Sequence, residues 1–216
     1  MTAQMTTERK VHWENVYRTK PLKDMGWYQP EPETSLQLIE AAGVARGARI
    51  IDVGGGDSLL ADRLLDLGYT KISVLDISEE ALARAQTRLG QRAKLVEWIC
   101  ADVTSFKPGT GFDLWHDRAC FHFLTEDEEV QAYMRILKNG LVDCGSLIIG
   151  GFAQTGPLKC SGLEVRRQDA EGLARMLEPE FSSLGYLHTS HITPSGNVQD
   201  YIFCSFLKKN RIKQKF

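Results

Sequence analysis

The segment Ile50-Ile-Asp-Val-Gly-Gly-Gly-Asp-Ser58 constrains this chain more than any other stretch. An apolar run ends in an acid, then in a cluster of glycines, then in a helical pattern. That is how a buried strand delivers its C-terminal end to a tight turn. Gly54 and Gly56 remove Cβ atoms where a ligand must approach the backbone closely. About twenty residues later a second run, Ile72-Ser-Val-Leu-Asp76, ends in another acid. A strand-tip acid at that separation can accept hydrogen bonds from ribose hydroxyls. The pair predicts a nucleoside cofactor held at the carboxyl end of a parallel sheet.

The rest of the chain repeats the strand-turn-helix unit. Spacing predicts helices over Thr7–Tyr17 and Glu33–Ala42, with a proline-punctuated loop between them. Then come strand Arg49–Val53, helix Ser58–Leu67, strand Lys71–Asp76 and helix Glu79–Leu89, the last with Ser78 as its N-cap. Strands Leu95–Cys100 and Phe112–His116, helix Glu126–Lys138, strand Ser146–Gly151 and helix Asp169–Leu177 follow. Two extended runs, Leu184–Ile192 and Gln199–Leu207, close the chain around Thr193-Pro-Ser-Gly-Asn197 with no helix between them. Alternation of this kind implies right-handed βαβ units and a parallel sheet. The expected fold is α/β: a Rossmann-like, doubly wound, seven-stranded sheet, mostly parallel, with one antiparallel strand in a C-terminal hairpin.

A length of 216 residues suits a single domain, 1–216, with one full core, of which 49–207 would be the sheet core. The formal net charge is −2 and the sequence pI about 6.2. Neither suits a nucleic-acid surface, which needs a concentrated basic face. The basic tail 208–216 is the exception and reads as a solvated terminus. The five cysteines are widely spaced and lack any Cys-x-x-Cys pair, so neither a disulfide framework nor a structural zinc site follows, and no metal is expected. Residues 1–10 lack an apolar signal-peptide core, and no window is long and apolar enough to span a bilayer. A cytoplasmic protein is expected, with a small-molecule partner, no nucleic acid or membrane partner, and a monomeric or weakly homodimeric state.

Two cofactor classes compete for the glycine turn. A dinucleotide site wants G-x-G-x-x-G, but the third glycine position holds Leu59. The turn reads Asp52-x-Gly54-x-Gly56-x-Ser58 instead. It resembles the first motif of the class I S-adenosylmethionine-dependent methyltransferases, with Ser58 in place of a last glycine. The resemblance runs strand for strand over about Arg49–Leu207. It implies that Asp76 holds the cofactor ribose, that Ile77 lies against the adenine, and that Asp102, followed by Val103, sits near the adenine amino group. It also implies that Gly54 and Gly56 line the methionine moiety, with Asp52 below the turn, and that S-adenosylhomocysteine is the product.

The tip of the fourth strand, Phe112-Asp-Leu-Trp-His-Asp-Arg-Ala-Cys-Phe-His-Phe-Leu124, is crowded with titratable groups where a substrate would meet the sheet. A thiol acceptor near a cation such as Arg118 can lose its proton without a dedicated base. Amines or hydroxyls would need Asp117, His116 or His122 as proton acceptor. A structural Asp117–Arg118 ion pair is the plainer alternative. Phe112, Asp113, Asp117 and Arg118 resemble the Phe-Asp-x-x-x-Asp-Arg arrangement of the thiopurine and thiol methyltransferase branch. Trp13-Glu-Asn-Val-Tyr17 and Gly26-Trp-Tyr-Gln-Pro-Glu-Pro32 resemble its N-terminal motifs. By that resemblance residues 1–43 form a helical lid, with Trp13, Trp27 and Tyr28 walling the site. The expected activity is methyl transfer to a small-molecule nucleophile, a thiol or another heteroatom. The alternatives are a protein lysine methyltransferase, which would need an acidic groove such as Glu126-Asp-Glu-Glu129 offers, and a non-catalytic adenosylmethionine-binding subunit.

Overall fold

The computed structural model describes residues 3–210, with side chains from residue 7 onward. Helix α1 (Ala3–Thr19) and helix α2 (Glu33–Ala41) precede the sheet. Then come β1 (Arg49–Val53), α3 (Leu60–Asp66), β2 (Lys71–Asp76), α4 (Glu79–Leu89), β3 (Val96–Cys100) and β4 (Phe112–Arg118). Next are α5 (Asp127–Gly140), β5 (Leu141–Phe152), and a short pair, β6 (Lys159–Cys160) and β7 (Leu163–Glu164). Helix α6 (Ala170–Leu177) and strands β8 (Phe181–Ile192) and β9 (Val198–Lys208) close the chain.

The main sheet has seven strands in the order β3-β2-β1-β4-β5-β9-β8. β1 to β5 pair in parallel, and β9 runs antiparallel to both β5 and β8. This is the expected Rossmann-like sheet with its one antiparallel strand. The β6–β7 hairpin is an addition that its short, mixed-polarity sequence does not announce. Helix α3 starts at Leu60 rather than Ser58, because the glycine turn extends further than the helical pattern suggests. Lys208 does not begin a solvated tail. It ends β9, and its buried Nζ donates to the carbonyls of Lys138 (2.6 Å) and Leu141 (2.5 Å). Residues 211–216 of the expected tail lie outside the described residues.

Side chains alternate between the two faces of each strand, and this splits the core in two. Ile50, Ile72, Val74 and Leu114 pack with Ile39, Leu60, Leu64 and Leu82 from α2, α3 and α4. Ile51, Leu75, Trp115 and Ile149 pack with Tyr133, Leu137, Leu173 and Leu177 from α5 and α6. A third, smaller cluster joins Trp13, Val16 and Tyr17 of α1 to Met25 and to Ala81 of α4. It seats the N-terminal helix at the carboxyl edge of the sheet. α4 begins as its sequence predicts, with Ser78 Oγ accepting the Ala81 amide at 3.1 Å. Among the described residues no helix is long and apolar enough to cross a membrane.

Candidate active site

The strand order reverses between β1 and β4, which opens a crevice beyond their carboxyl ends. A cavity fills that crevice. Its wall includes Gly54, Asp76, Asp102, His116, Arg118 and Trp13.

The β1–α3 turn lies along this cavity. Gly54 and Gly56 hold φ of 67° and 46°, where a side chain is strained. A Cβ on Gly54 would sit 2.5 Å from the Cβ of Cys120, and one on Gly56 would sit 2.6 Å from the Tyr17 hydroxyl. Gly55, the unassigned position of the motif, is as constrained, because a Cβ there would fall on the Asp52 carboxylate. The turn is therefore bare because its own protein neighbours press on it. Gly54 and Gly55 line the cavity, whereas Gly56 does not.

Two acids stand at neighbouring strand ends. Asp76 accepts the Ser78 amide on Oδ1 at 2.8 Å, which fixes its rotamer. Burial, reinforced by Asp52 and Glu14, pushes its carboxyl up to about 7. Asp102 accepts the amide (2.8 Å) and hydroxyl (2.6 Å) of Thr104, both on Oδ1. Its Oδ2 is buried with no hydrogen-bond donor, and the Arg9 guanidinium stands off at 4.0 Å. A buried carboxylate oxygen left this way calls for a donor from elsewhere. Ile77 and Val103 line the cavity beside the two acids.

Helix α1 is fastened across the cavity by three polar ties. Arg9 bonds Glu129 of α5 at 2.6 Å. The Glu14 carboxylate accepts the amides of Glu79 (2.8 Å) and Glu80 (3.1 Å) at the start of α4. Arg84 of α4 donates to the carbonyls of Tyr17 (2.5 Å) and Lys20 (2.9 Å). Inside these ties the aromatic rings meet edge to face: Trp13 with Phe123 at 5.0 Å, Trp13 with Trp27 at 5.7 Å, and Tyr17 with Trp27 at 5.8 Å between centroids. With Tyr28 they wall one side of the cavity.

The tip of β4 divides by face. His116 pairs in register with Asp52 of β1. Its Nδ1 meets Asp52 Oδ1 at 2.7 Å and its Nε2 meets Ser35 Oγ at 2.9 Å. Asp117 points the other way, into the α5 side of the core. It accepts the amides of Cys120 (3.0 Å) and Phe121 (3.1 Å) and the Tyr133 hydroxyl (2.7 Å). Burial pushes Asp117 up to about 6, although these donors oppose the shift. Asp117 forms no ion pair with Arg118 and does not line the cavity. Arg118 lines it, donating to the Trp27 carbonyl at 3.2 Å and lying 4.9 Å from the Tyr201 ring centroid. His122 is fully buried against Phe123 and Phe152, away from the cavity wall, and burial holds it neutral at about 3. Cys120 and Cys160 do reach the cavity, but burial raises both thiols, Cys160 to about 11. Among the described residues no cluster of three metal-ligating side chains occurs.

Three further residues of this site are Ser35, Gly55 and Arg9, none of which its sequence patterns single out. Ser35 and Arg9 lie outside every motif of the sequence. The only signal at Ser35 is that a polar residue shares a buried helical face with Ile39, four positions on.

Residues 50–140 match the model of a methyltransferase domain. The chain is 30% identical over 129 residues to N-terminal Xaa-Pro-Lys N-methyltransferase 1 of Mus musculus, covering 55% of this chain and 57% of that protein. It is 26% identical over 144 residues to the eEF1A lysine and N-terminal methyltransferase of Mus musculus, covering 65% of this chain and 20% of that one. The chain thus spans from a fifth to little over half the length of these relatives. The solved structure of the N-methyltransferase NodS from Bradyrhizobium japonicum WM9, in complex with S-adenosyl-L-homocysteine, superposes with a TM-score of 0.67 at 16% identity. It covers 96% of this chain and 98% of that one. At that identity the likeness is one of fold.

Proposed function

We propose that this chain, whose residues 50–140 match the model of a methyltransferase domain, moves the methyl group of S-adenosylmethionine to a small nucleophile, a thiol or another heteroatom. One observation carries the reading. Two buried acids project from adjacent strand ends into one cavity, and one of them, Asp102, keeps an oxygen without a donor. Adenosine supplies a donor of the kind Asp102 Oδ2 lacks, together with hydroxyls within the chemistry of Asp76. Asp76 would accept from the ribose hydroxyls and Asp102 Oδ2 from the adenine amino group. Ile77 and Val103 would flank the base, and Gly54 would run beside the methionine chain.

Bound there, the cofactor supplies an electrophilic methyl group on a positively charged sulfur. What remains for the protein is to align the acceptor and exclude water. The aromatic wall of Trp13, Trp27, Tyr28 and Phe123 and the ties that hold α1 down serve both ends. Residues 1–43 act as the lid. Arg118, with no carboxylate in ion-pair reach among the described residues, favours an acceptor that arrives with negative charge, such as a thiolate.

The relatives named above act, by their names, on protein N-termini and lysines. A peptide acceptor would call for an open acidic groove. Of the acidic run at the start of α5, Glu129 is buried on Arg9 and Asp127 pairs with Arg166 at 2.6 Å, which leaves Glu126 and Glu128 as its other exposed acids. The aromatic wall of the cavity favours a small acceptor.

Isothermal titration with S-adenosylmethionine and S-adenosylhomocysteine, joined to turnover on thiols, amines and peptides, tests the proposal. Micromolar binding and transfer to a thiol or amine are expected. Binding without transfer to anything would leave a non-catalytic binding subunit, and transfer to peptides alone would overturn the small acceptor.

A further inference from the structure

Ser35, His116 and Asp52 form one hydrogen-bonded line along the cavity wall, and all three are buried. With His116 neutral, the hydrogens in this line have one consistent arrangement. A carboxylate only accepts, so Asp52 Oδ1 draws the imidazole proton to His116 Nδ1. Nε2 is left with a lone pair, and the Ser35 hydroxyl donates to it across 2.9 Å. Both remaining lone pairs of Ser35 Oγ are then free to accept on the cavity side. The parallel register of β1 and β4 sets Asp52 beside His116, and the opening turn of α2 lays Ser35 over them. A tie between α2 and β4 needs a single hydrogen bond. Three buried polar groups in series amount to a path for a proton.

Resting on the methyl-transfer reading, we propose that Ser35 and His116 are the base of this site, acting as a relay. The acceptor X–H gives its proton to Ser35 Oγ while the Ser35 hydroxyl proton passes to His116 Nε2. The freed electron pair on X forms the new X–CH3 bond. The S–CH3 bond breaks with its electrons staying on sulfur, so the sulfonium charge is consumed. The imidazolium left behind is held by the ionised Asp52 and returns its proton to solvent in the opened site. No outside oxidant or reductant is involved. The relay gives the site a base where the other two candidates lie off the cavity wall. It also extends the acceptors from thiolates to groups that arrive protonated.

The same three residue types can activate a serine nucleophile. That use requires donors for an oxyanion, and the amides of Gly54 and Gly55 are already bonded to the Leu75 carbonyl at 2.7 and 3.3 Å. The charged groups around His116 lie on its own strand and on its neighbours. Asp52 reaches it from β1, Asp117 adjoins it on β4, Asp76 lies beyond Asp52 on β2, and its register partner on β5, Ile148, is uncharged. Arg118, two positions along β4, is the nearest cation in sequence.

The test uses two thiols of similar shape: phenylmethanethiol, protonated at neutral pH, and thiophenol, largely ionised there. Replacing Ser35 by Ala should lower phenylmethanethiol turnover about 100-fold more than thiophenol turnover. Binding of S-adenosylhomocysteine, measured by titration, should stay within about three-fold of wild type, which is under 1 kcal/mol. Ser35→Thr, which keeps the hydroxyl, should restore the wild-type ratio. Independently of turnover, 15N resonances of His116 should show Nε2 unprotonated at neutral pH and shifted by Ser35→Ala. Equal losses on the two thiols, no loss on either, no wild-type transfer to phenylmethanethiol, or a protonated Nε2 would each overturn the relay while leaving cofactor binding intact. Failure of the wild-type protein to bind S-adenosylhomocysteine would instead sink the methyltransferase reading and the relay with it.

Discussion

The carboxylate of Glu14 accepts the backbone amide of Glu79 at 2.8 Å, so a residue 65 positions upstream supplies part of the cap of α4. Two residues of like charge meet here through the exposed N–H groups of a helix start. The contact joins the helix over the cavity to the segment that follows Asp76, and it links the seating of α1 to the geometry of Asp76. Replacing Glu14 by Ala should cost about 1 kcal/mol, the usual worth of an N-cap, and lower Tm by about 3 °C. Calorimetry reads both, and titration should show weaker S-adenosylhomocysteine binding. Stability lost with binding unchanged would mean that α1 does not shape the cofactor site.

Asp76 should make cofactor affinity depend on pH. Its folded-state value of about 7 lies above its ordinary 3.8. The folded chain therefore holds this proton more tightly than the unfolded one, and between about pH 4 and 7 the group's stabilising contribution fades as pH rises. On the proposed assignment binding would run the opposite way, because ribose hydroxyls would donate to the ionised form. S-adenosylhomocysteine affinity should thus climb as pH passes 7. Asp76→Asn should flatten that climb and weaken binding about ten-fold or more, corresponding to the loss of about 1.5–3 kcal/mol. A steep pH dependence that survives in the variant would assign the titration to another group.

Asp117 should prove to be a framework residue. Asp117→Ala would leave the Tyr133 hydroxyl and the amides of Cys120 and Phe121 without their buried acceptor. A loss of about 2–4 kcal/mol follows, read as a lower urea midpoint. Should folding stability hold while turnover vanishes, Asp117 belongs to the chemistry after all.

The glycine turn should tolerate no side chain even at its middle position. Gly55→Ala would displace the Asp52 carboxylate and, through it, His116. Turnover of a protonated acceptor should suffer more than cofactor binding. Gly54→Ala would press on Cys120 at the cavity wall and should weaken binding first. Titration and kinetics on the two variants separate these effects, and identical behaviour would count against this division of the turn.

Arg118→Ala should reduce turnover of ionised thiols about ten-fold, the worth of one pKa unit in thiolate stabilisation, with cofactor binding spared. Comparable activity of the variant on thiophenol would remove Arg118 from the acceptor site.

Much of the fold was readable in order along the chain. β1, β2 and α4 fall on the boundaries that periodicity and the Ser78 cap predict. Elements of this sort are written locally: an apolar run, a turn glycine, a capping hydroxyl. The β6–β7 hairpin and the long extension of β5 at its N-terminal end escaped, since those residues pair only because a neighbouring strand is there to receive them.

The candidate site divides along the same line. Sequence alone determined that acids and glycines would gather at the strand ends, because a strand followed by a tight turn carries that information within a few residues. It could not tell His116 from Asp117 or His122. Strand alternation turns His116 and Arg118 toward the cavity and Asp117 toward Tyr133, but which face holds the cavity depends on which helices cover it. Ser35 and Arg9 belong to no motif and enter the site from α2 and α1, brought there by packing against α4, α5 and the sheet. Their role rests on distances between residues far apart in the chain, and only the tertiary structure sets those distances.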